Sequence, residues 1–163
     1  MIFSLLKKIY YEKYTKKSYS ISNVDLIIDR MFARKNNGFF IDLGCNHPIK
    51  FNNTYLLYKR GWRGINIDLD ETSINEFNKI RNLDFNVRAL VSSKTNELKK
   101  IYFYHKISAI NTVSEELIKH RKSKQEDYYI IEENTKTLEE IIEKLPFKNK
   151  NIDLLSIDIE NHE

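Results

Sequence analysis

A glycine after one short apolar run and an aspartate closing the next are the first residues here whose spacing can do chemistry. Gly44 follows Phe39-Phe40-Ile41-Asp42-Leu43, and about two dozen residues later Asp68 ends Ile65-Asn66-Ile67-Asp68. A glycine at the carboxyl end of a buried strand permits a tight turn and close approach of a ligand to backbone, where open α/β sheets bind their ligands. A carboxylate at the end of the neighbouring strand accepts hydrogen bonds from ribose hydroxyls in nucleoside-binding folds. Together Gly44 and Asp68 predict a nucleoside-cofactor site, while an aspartate that merely caps the following helix is the plainer alternative. The loop Gly44-Cys45-Asn46-His47-Pro48-Ile49 has a single glycine, whereas a dinucleotide needs several for its pyrophosphate. A cofactor with a ribose and no phosphate, such as S-adenosylmethionine, suits that loop better than NAD.

Two further constellations compete for attention. Asp68-Leu69-Asp70 has the spacing by which many glycosyltransferases hold a divalent ion and a sugar nucleotide through hard oxygen ligands. Asp158, Glu160 and His162 alternate, so an extended segment projects them to one side, as carboxylate and imidazole ligands or simply as a charged strand end. Neither supports assigning a metal. His162 and His47 are both candidate bases, with ordinary pKa values near 6.5. His162 is preferred because Asp158 and Glu160 can orient it.

These residues need a parallel sheet to position them, and the pattern supplies one. Residues 21–35 fit a helix with one apolar stripe, stopped at Lys35-Asn36-Asn37-Gly38. Strand 39–43, a helix over 52–60, a turn at 61–64, strand 65–68, helix 71–81 and strand 85–91 follow. Strands over 98–105 and 127–133, helices near 112–121 and 137–145, and a buried strand 152–157 complete the reading. Strands alternating with helices argue for crossover connections and a parallel sheet. The last strand is expected at a sheet edge, which makes association with a second copy of the chain an expectation too.

Composition sets the outer limits. The 163 residues are 41% hydrophobic, 12% aromatic and 31% charged, enough for one core and against wholesale disorder. No apolar run approaches the roughly 18 residues of a membrane span, and the lysines of MIFSLLKKIYYEKY interrupt any secretory core. The lone Cys45 excludes an internal disulfide and points to a reducing, cytoplasmic setting. The net charge of +4 is mild, and its excess lies in Lys7, Lys8, Lys13, Lys16 and Lys17, among Tyr10, Tyr11, Tyr14 and Tyr19. Residues 1–20 are read as a basic helical segment resting on the domain or on a membrane surface, in preference to a nucleic-acid contact. Residues 21–163 are read as the domain proper.

Several motifs in order resemble the FkbM family of methyltransferases: Gly38-Phe39-Phe40-Ile41-Asp42-Leu43-Gly44, then Asn52-Asn53-Thr54-Tyr55, then Gly61-Trp62-Arg63-Gly64-Ile65. Arg88-Ala89-Leu90-Val91-Ser92-Ser93 and the stretch from Ile152 to Glu163 agree, so the resemblance runs from about residue 25 onward. It implies a Rossmann-like α/β/α fold with a mostly parallel sheet, S-adenosylmethionine as cofactor, and methyl transfer to a hydroxyl of a carbohydrate or related metabolite. By the same resemblance Asp42, Gly44 and Asn46 belong to the first cofactor loop, near the methionine part. Asp68 takes the ribose hydroxyls, and Ala89 to Ser92 lie by the adenine. Asp158 and His162 are then the catalytic candidates. Cys45 and Asn161 depart from the family's usual alanine and glycine. The resemblance leads one to expect further C-terminal strands after the fourth core strand, so a truncated, non-catalytic relative is the second reading and a metal-dependent glycosyltransferase the third.

Overall fold

The apolar run Phe39–Leu43 forms β1, buried along its whole length, in a computed structural model that describes residues 16–104, 108, 111–121, 128–146 and 150–159. Burial on both faces is what a continuous apolar strand demands of a parallel sheet. β2 (Arg63–Asp68) lies parallel to β1 on one side. β3 (Phe85–Arg88) is parallel to β2, and β7 (Leu154–Ile157) is parallel to the far side of β1. The order is β3-β2-β1-β7. β7 is the outer strand among the described residues, with Leu155 and Ile157 exposed.

Strand periodicity sorts β1 into two faces. Phe39, Ile41 and Leu43 pack with Ile65, Ile67 and Ile141, the last from α5 (Leu138–Glu143), which follows α4 (Glu115–Arg121) in the chain. Phe40 points the other way, to Ile28 of α1 (Val24–Met31), Leu57 of α2 (Tyr55–Lys59) and Trp62. α3 (Glu71–Ile80) lies on that second face too, since Arg81 at its end sits over the rings of Phe40 and Tyr58. Helices on both faces of a mostly parallel sheet make this a Rossmann-like α/β/α fold. No helix among the described residues is long and apolar enough to cross a membrane.

The expected third strand, 85–91, is in fact two. β3 ends at Arg88, and Leu90–Val91 forms β4 in a different sheet, parallel to β6 (Tyr129–Lys136). The break falls at Ala89, whose N–H donates to the Asp68 carbonyl (3.0 Å). That bond is the last rung of the β2–β3 ladder, and beyond it the chain leaves β2 to pair with β6. β6 is antiparallel to β5 (Leu98–Phe103), which completes the order β4-β6-β5. The helix expected over 52–60 begins only at Tyr55. Asn52 explains the delay, because its Oδ1 accepts from the Thr54 N–H (3.0 Å) and holds a turn that competes with helix. The helix expected over 21–35 is a 3-10 turn at Ile21–Asn23 followed by α1. Arg60 ends it by donating to the carbonyls of Phe32 (2.8 Å) and Lys35 (2.7 Å). Residues 16–20 run without helix, and residues 1–15, with most of the basic segment, lie outside the described residues.

Gly64 of β2 stands opposite Phe40 of β1. A β-carbon there would overlap both the ring and the carbonyl of Phe40, which is fully buried. Gly64→Ala should therefore lower stability by about 1–3 kcal/mol, the usual range for overpacking a core. A urea titration checks this, with a lower midpoint at unchanged slope as the expected result.

Candidate functional site

The carboxyl ends of β1, β2, β3 and β7 open into one cleft, and backbone bonds tie the chain segments that leave them. The Gly44 N–H donates to the Ile67 carbonyl (2.9 Å), and the Asp158 N–H donates to the Leu43 carbonyl (3.0 Å). Gly44 adopts φ +72°, and a β-carbon on it would collide with the Asp158 carbonyl. Only glycine serves at that crossing.

Asp68 is fixed from two directions. Its Oδ2 accepts from the Asn46 N–H (2.7 Å) and its Oδ1 from the Asp70 N–H (2.8 Å). Asn46 reaches it through a left-handed conformation, φ 52°, with its carbonyl held by the buried Ser73 hydroxyl of α3. Asp70 in turn accepts from the Thr72 N–H (2.7 Å) and caps α3. Both carboxylates of Asp68-Leu69-Asp70 thus accept local backbone amides. No group of three or more His, Cys, Asp or Glu side chains among the described residues is placed to hold a metal.

The cleft encloses a cavity of about 120 Å³. Gly44, Asn46, Asp68 and Asp158 line one part of it, and Ala89 and Leu90 continue the wall from the kink between β3 and β4. The second sheet contributes Ile101 and Phe103, and a loop contributes Asn111, Thr112 and Val113. That loop is strapped to β5 by reciprocal backbone bonds between Tyr102 and Thr112 (2.9 and 3.2 Å). One end of the cavity is therefore carboxylate-rich and the other apolar.

Five of the residues singled out from sequence meet here: Gly44, Asn46, Asp68, Ala89 and Asp158. Asp42 and Ser92 are not among the lining residues. Asp42 points into the helix-covered face, where Thr54 Oγ1 (2.8 Å) and Asn52 Nδ2 (3.2 Å) donate to its Oδ2. Ser92 continues the β4–β6 ladder, its N–H donating to the Lys136 carbonyl (3.0 Å). His47 spends Nδ1 on its own turn, accepting from the Ile49 and Lys50 N–H groups (3.0 and 3.1 Å). Burial and the nearby Lys50 hold its pKa below the usual histidine range. His162 and Glu160 lie outside the described residues. Cys45 is buried, and desolvation pushes its thiol pKa well up.

The contribution of the second sheet was the part sequence reasoning missed. A usable signal exists: Ile101 and Phe103 alternate with Lys100 and Tyr102, so one face of β5 is apolar and needs a wall to build. Ser108, Asn111 and Thr112 are polar residues of the connection after β5, but nothing in their types says which cleft they border.

A family model described as the Methyltransferase FkbM domain matches residues 42–163. Comparison with curated proteins and with solved structures finds no match.

Burial raises the Asp68 pKa from the usual carboxylate value to about 6, against the pull of the Asp70 and Asn46 amides. The folded chain therefore keeps this proton while the unfolded chain releases it near pH 4. What Asp68 adds to stability is present below about pH 4 and lost as pH rises through about 6. Urea titrations of wild type and Asp68→Ala from pH 4 to 7 should show their difference moving against the wild type as pH rises. A difference that moves the other way would contradict the assignment.

Proposed function

The chain belongs to the FkbM methyltransferase domain family, and on that premise we propose that it is an S-adenosylmethionine-dependent O-methyltransferase acting on a hydroxyl of a carbohydrate or related small metabolite. The observation that carries this reading is the Asp68 carboxylate, set at the cavity by the Asn46 and Asp70 amides opposite the glycine turn. Its oxygens are oriented before any ligand arrives, which suits recognition of a ribose diol.

The residues present fit the cofactor. At Gly44, where a β-carbon would close the crossing, only hydrogen projects. Leu90, Ile101, Phe103 and Val113 offer a flat heterocycle an apolar wall. Ala89 sits between that wall and Asp68. When bound, the cofactor supplies a methyl group on a cationic sulfur. Asp158, over the Gly44 turn, favours a positive charge nearby. The chain's principal task is to hold the acceptor oxygen about 3–3.5 Å from the methyl carbon, because orientation supplies much of the rate in such displacements. His162, four residues beyond Asp158 in the sequence, is the proposed acceptor of the hydroxyl proton. The single, buried Cys45 suits a reducing cytoplasm.

Calorimetric titration with S-adenosylhomocysteine tests the cofactor half of this reading. The expected result is a micromolar Kd, about −8 kcal/mol, weakened at least tenfold in Asp68→Ala. No heat from a chain that unfolds cooperatively would contradict it.

A further inference from the structure

Beneath the cavity, a row of polar side chains crosses the sheet on the face covered by α1, α2 and α3. Register places Ser156 of β7 beside Asp42 of β1, Asp42 beside Asn66 of β2, and Asn66 beside Asn86 of β3. Ser156, Asp42 and Asn66 are all buried. Above the row sits Arg81, fully buried, whose Nε donates to Asp84 Oδ2 (2.9 Å). Its Nη2 lies 2.8 Å from the same oxygen without hydrogen-bond alignment. Arg81 Nη1 donates to Thr54 Oγ1 (3.0 Å) and Asn52 Oδ1 (3.2 Å).

Two features of this cluster do not balance if every carboxyl is ionised. Asp42 and Asp84 would then share one guanidinium, leaving a net negative charge sealed from water, which is expensive. Meanwhile Asn66 Oδ1 is a buried acceptor with no donor in reach among the described residues. The Asn66 amide cannot simply be turned over, because its Nδ2 already donates to Asp84 Oδ2 (3.2 Å) and Asn86 Oδ1 (2.8 Å). One added proton removes both defects. Asp84 is in direct contact with the guanidinium and is the natural anion. Asp42 is bonded to the guanidinium only through Thr54 and Asn52, both of which donate to its Oδ2, and with Ser156 as its other hydrogen-bonding side chain, Oδ1 is the oxygen that can carry a hydrogen toward Asn66.

We propose that Asp42 is a positioning residue that works as a neutral carboxylic acid, accepting from Asn52 and Thr54 on Oδ2 and donating from Oδ1 to Asn66. The same Asn52 Nδ2 that donates to Asp42 also donates to the Cys45 carbonyl (3.2 Å). Asp42 therefore pins the Gly44–Asn46 turn to the sheet from below and adds no charge beside the cofactor. The charged and titratable groups that act on it are Arg81, which also holds Asp84 in the α3–β3 connection, and Cys45 of the loop after β1, on which Asp68 acts from the end of β2. Ahead of α2 and on β7 it meets the neutral Thr54 and Ser156. Burial pushes the Asp42 carboxyl upward while Arg81 and the hydrogen bonds from Thr54, Ser156 and Asn52 pull it down, with burial the larger.

The effect on cofactor binding rests on the proposed function; the protonation itself does not, and the experiment separates them. Carbon-13 NMR of the Asp42 carboxyl in the wild-type chain should show the protonated shift at pH 7. Asp42→Asn, which keeps the shape, the neutral charge and a donor for Asn66, should match or exceed the wild-type urea midpoint at pH 7.5. It should also bind S-adenosylhomocysteine within about twofold of wild type. Asp42→Ala should lose at least tenfold in affinity, or fail to fold. A carboxyl that is ionised at pH 7, or an Asp42→Asn variant as damaged as Asp42→Ala, would overturn the proposal. A wild-type chain that binds no S-adenosylhomocysteine would instead overturn the cofactor reading, with the carbon-13 result still deciding the protonation.

Discussion

At Gly44 the chain leaves β1 with its backbone in a left-handed turn, and the Asp158 carbonyl occupies the space that any β-carbon would need. That crossing constrains everything around it. β1 is paired on both sides, and its carboxyl end is level with those of β2 and β7, in register from Leu43 to Ile67 and Ile157. Segments leaving three parallel strands at one level must diverge or collide. The missing side chain at position 44 lets two of them cross in contact, so the third, carrying Asp68, turns over the same opening. Asn46 then donates to Asp68 because the turn has already brought it there. The site follows from the crossing more than from any single polar residue.

The two faces of the sheet are stabilised by different means. On the α5 face, Phe39, Ile41, Leu43, Ile65 and Ile67 are almost completely buried among aliphatic neighbours. Such side chains each contribute about 1.5–3 kcal/mol on leaving water. On the opposite face, Trp62 and Phe40 share the interior with a polar cluster of Asp42, Asn66, Arg81 and Asp84, all buried. A buried polar cluster adds little net stability even when satisfied and is costly when it is not. Its use here is geometric: Asn52 links the strand, the helix-side guanidinium and the Cys45 carbonyl. An apolar plug of equal volume could not hold that loop in one place.

Much of this was legible in the residues. The run Phe39–Leu43 had to be a doubly buried strand, and the interval from Gly44 to Asp68 located the cleft. Four things were not legible, for distinct reasons. Residues 85–91 read as one strand because Phe85, Val87, Leu90 and Val91 leave no turn signal between them, and the switch of sheets after Arg88 depends on pairing with β6, a strand distant in the sequence. Asn52 looked helical by position, yet its side chain competes for the Thr54 amide. Asp42 was expected in the cofactor loop by the family resemblance, and strand alternation alone could not say that its side chain enters the polar cluster around Arg81 instead of lining the cavity. Ile101 and Phe103 arrive at the cavity through a second sheet whose placement no local pattern encodes.

Amide chemical-shift mapping bears most directly on whether the strand-end cavity is the cofactor site. Nitrogen-15-labelled chain would be titrated with S-adenosylhomocysteine and the perturbed amides assigned. Saturable shifts concentrated at Gly44, Asn46, Leu69, Ala89 and Leu90, with little change at Ser92 or along α1, are the predicted result. A well-dispersed spectrum that does not move, or shifts centred away from the ends of β1 and β2, would contradict the assignment of this cavity to the cofactor.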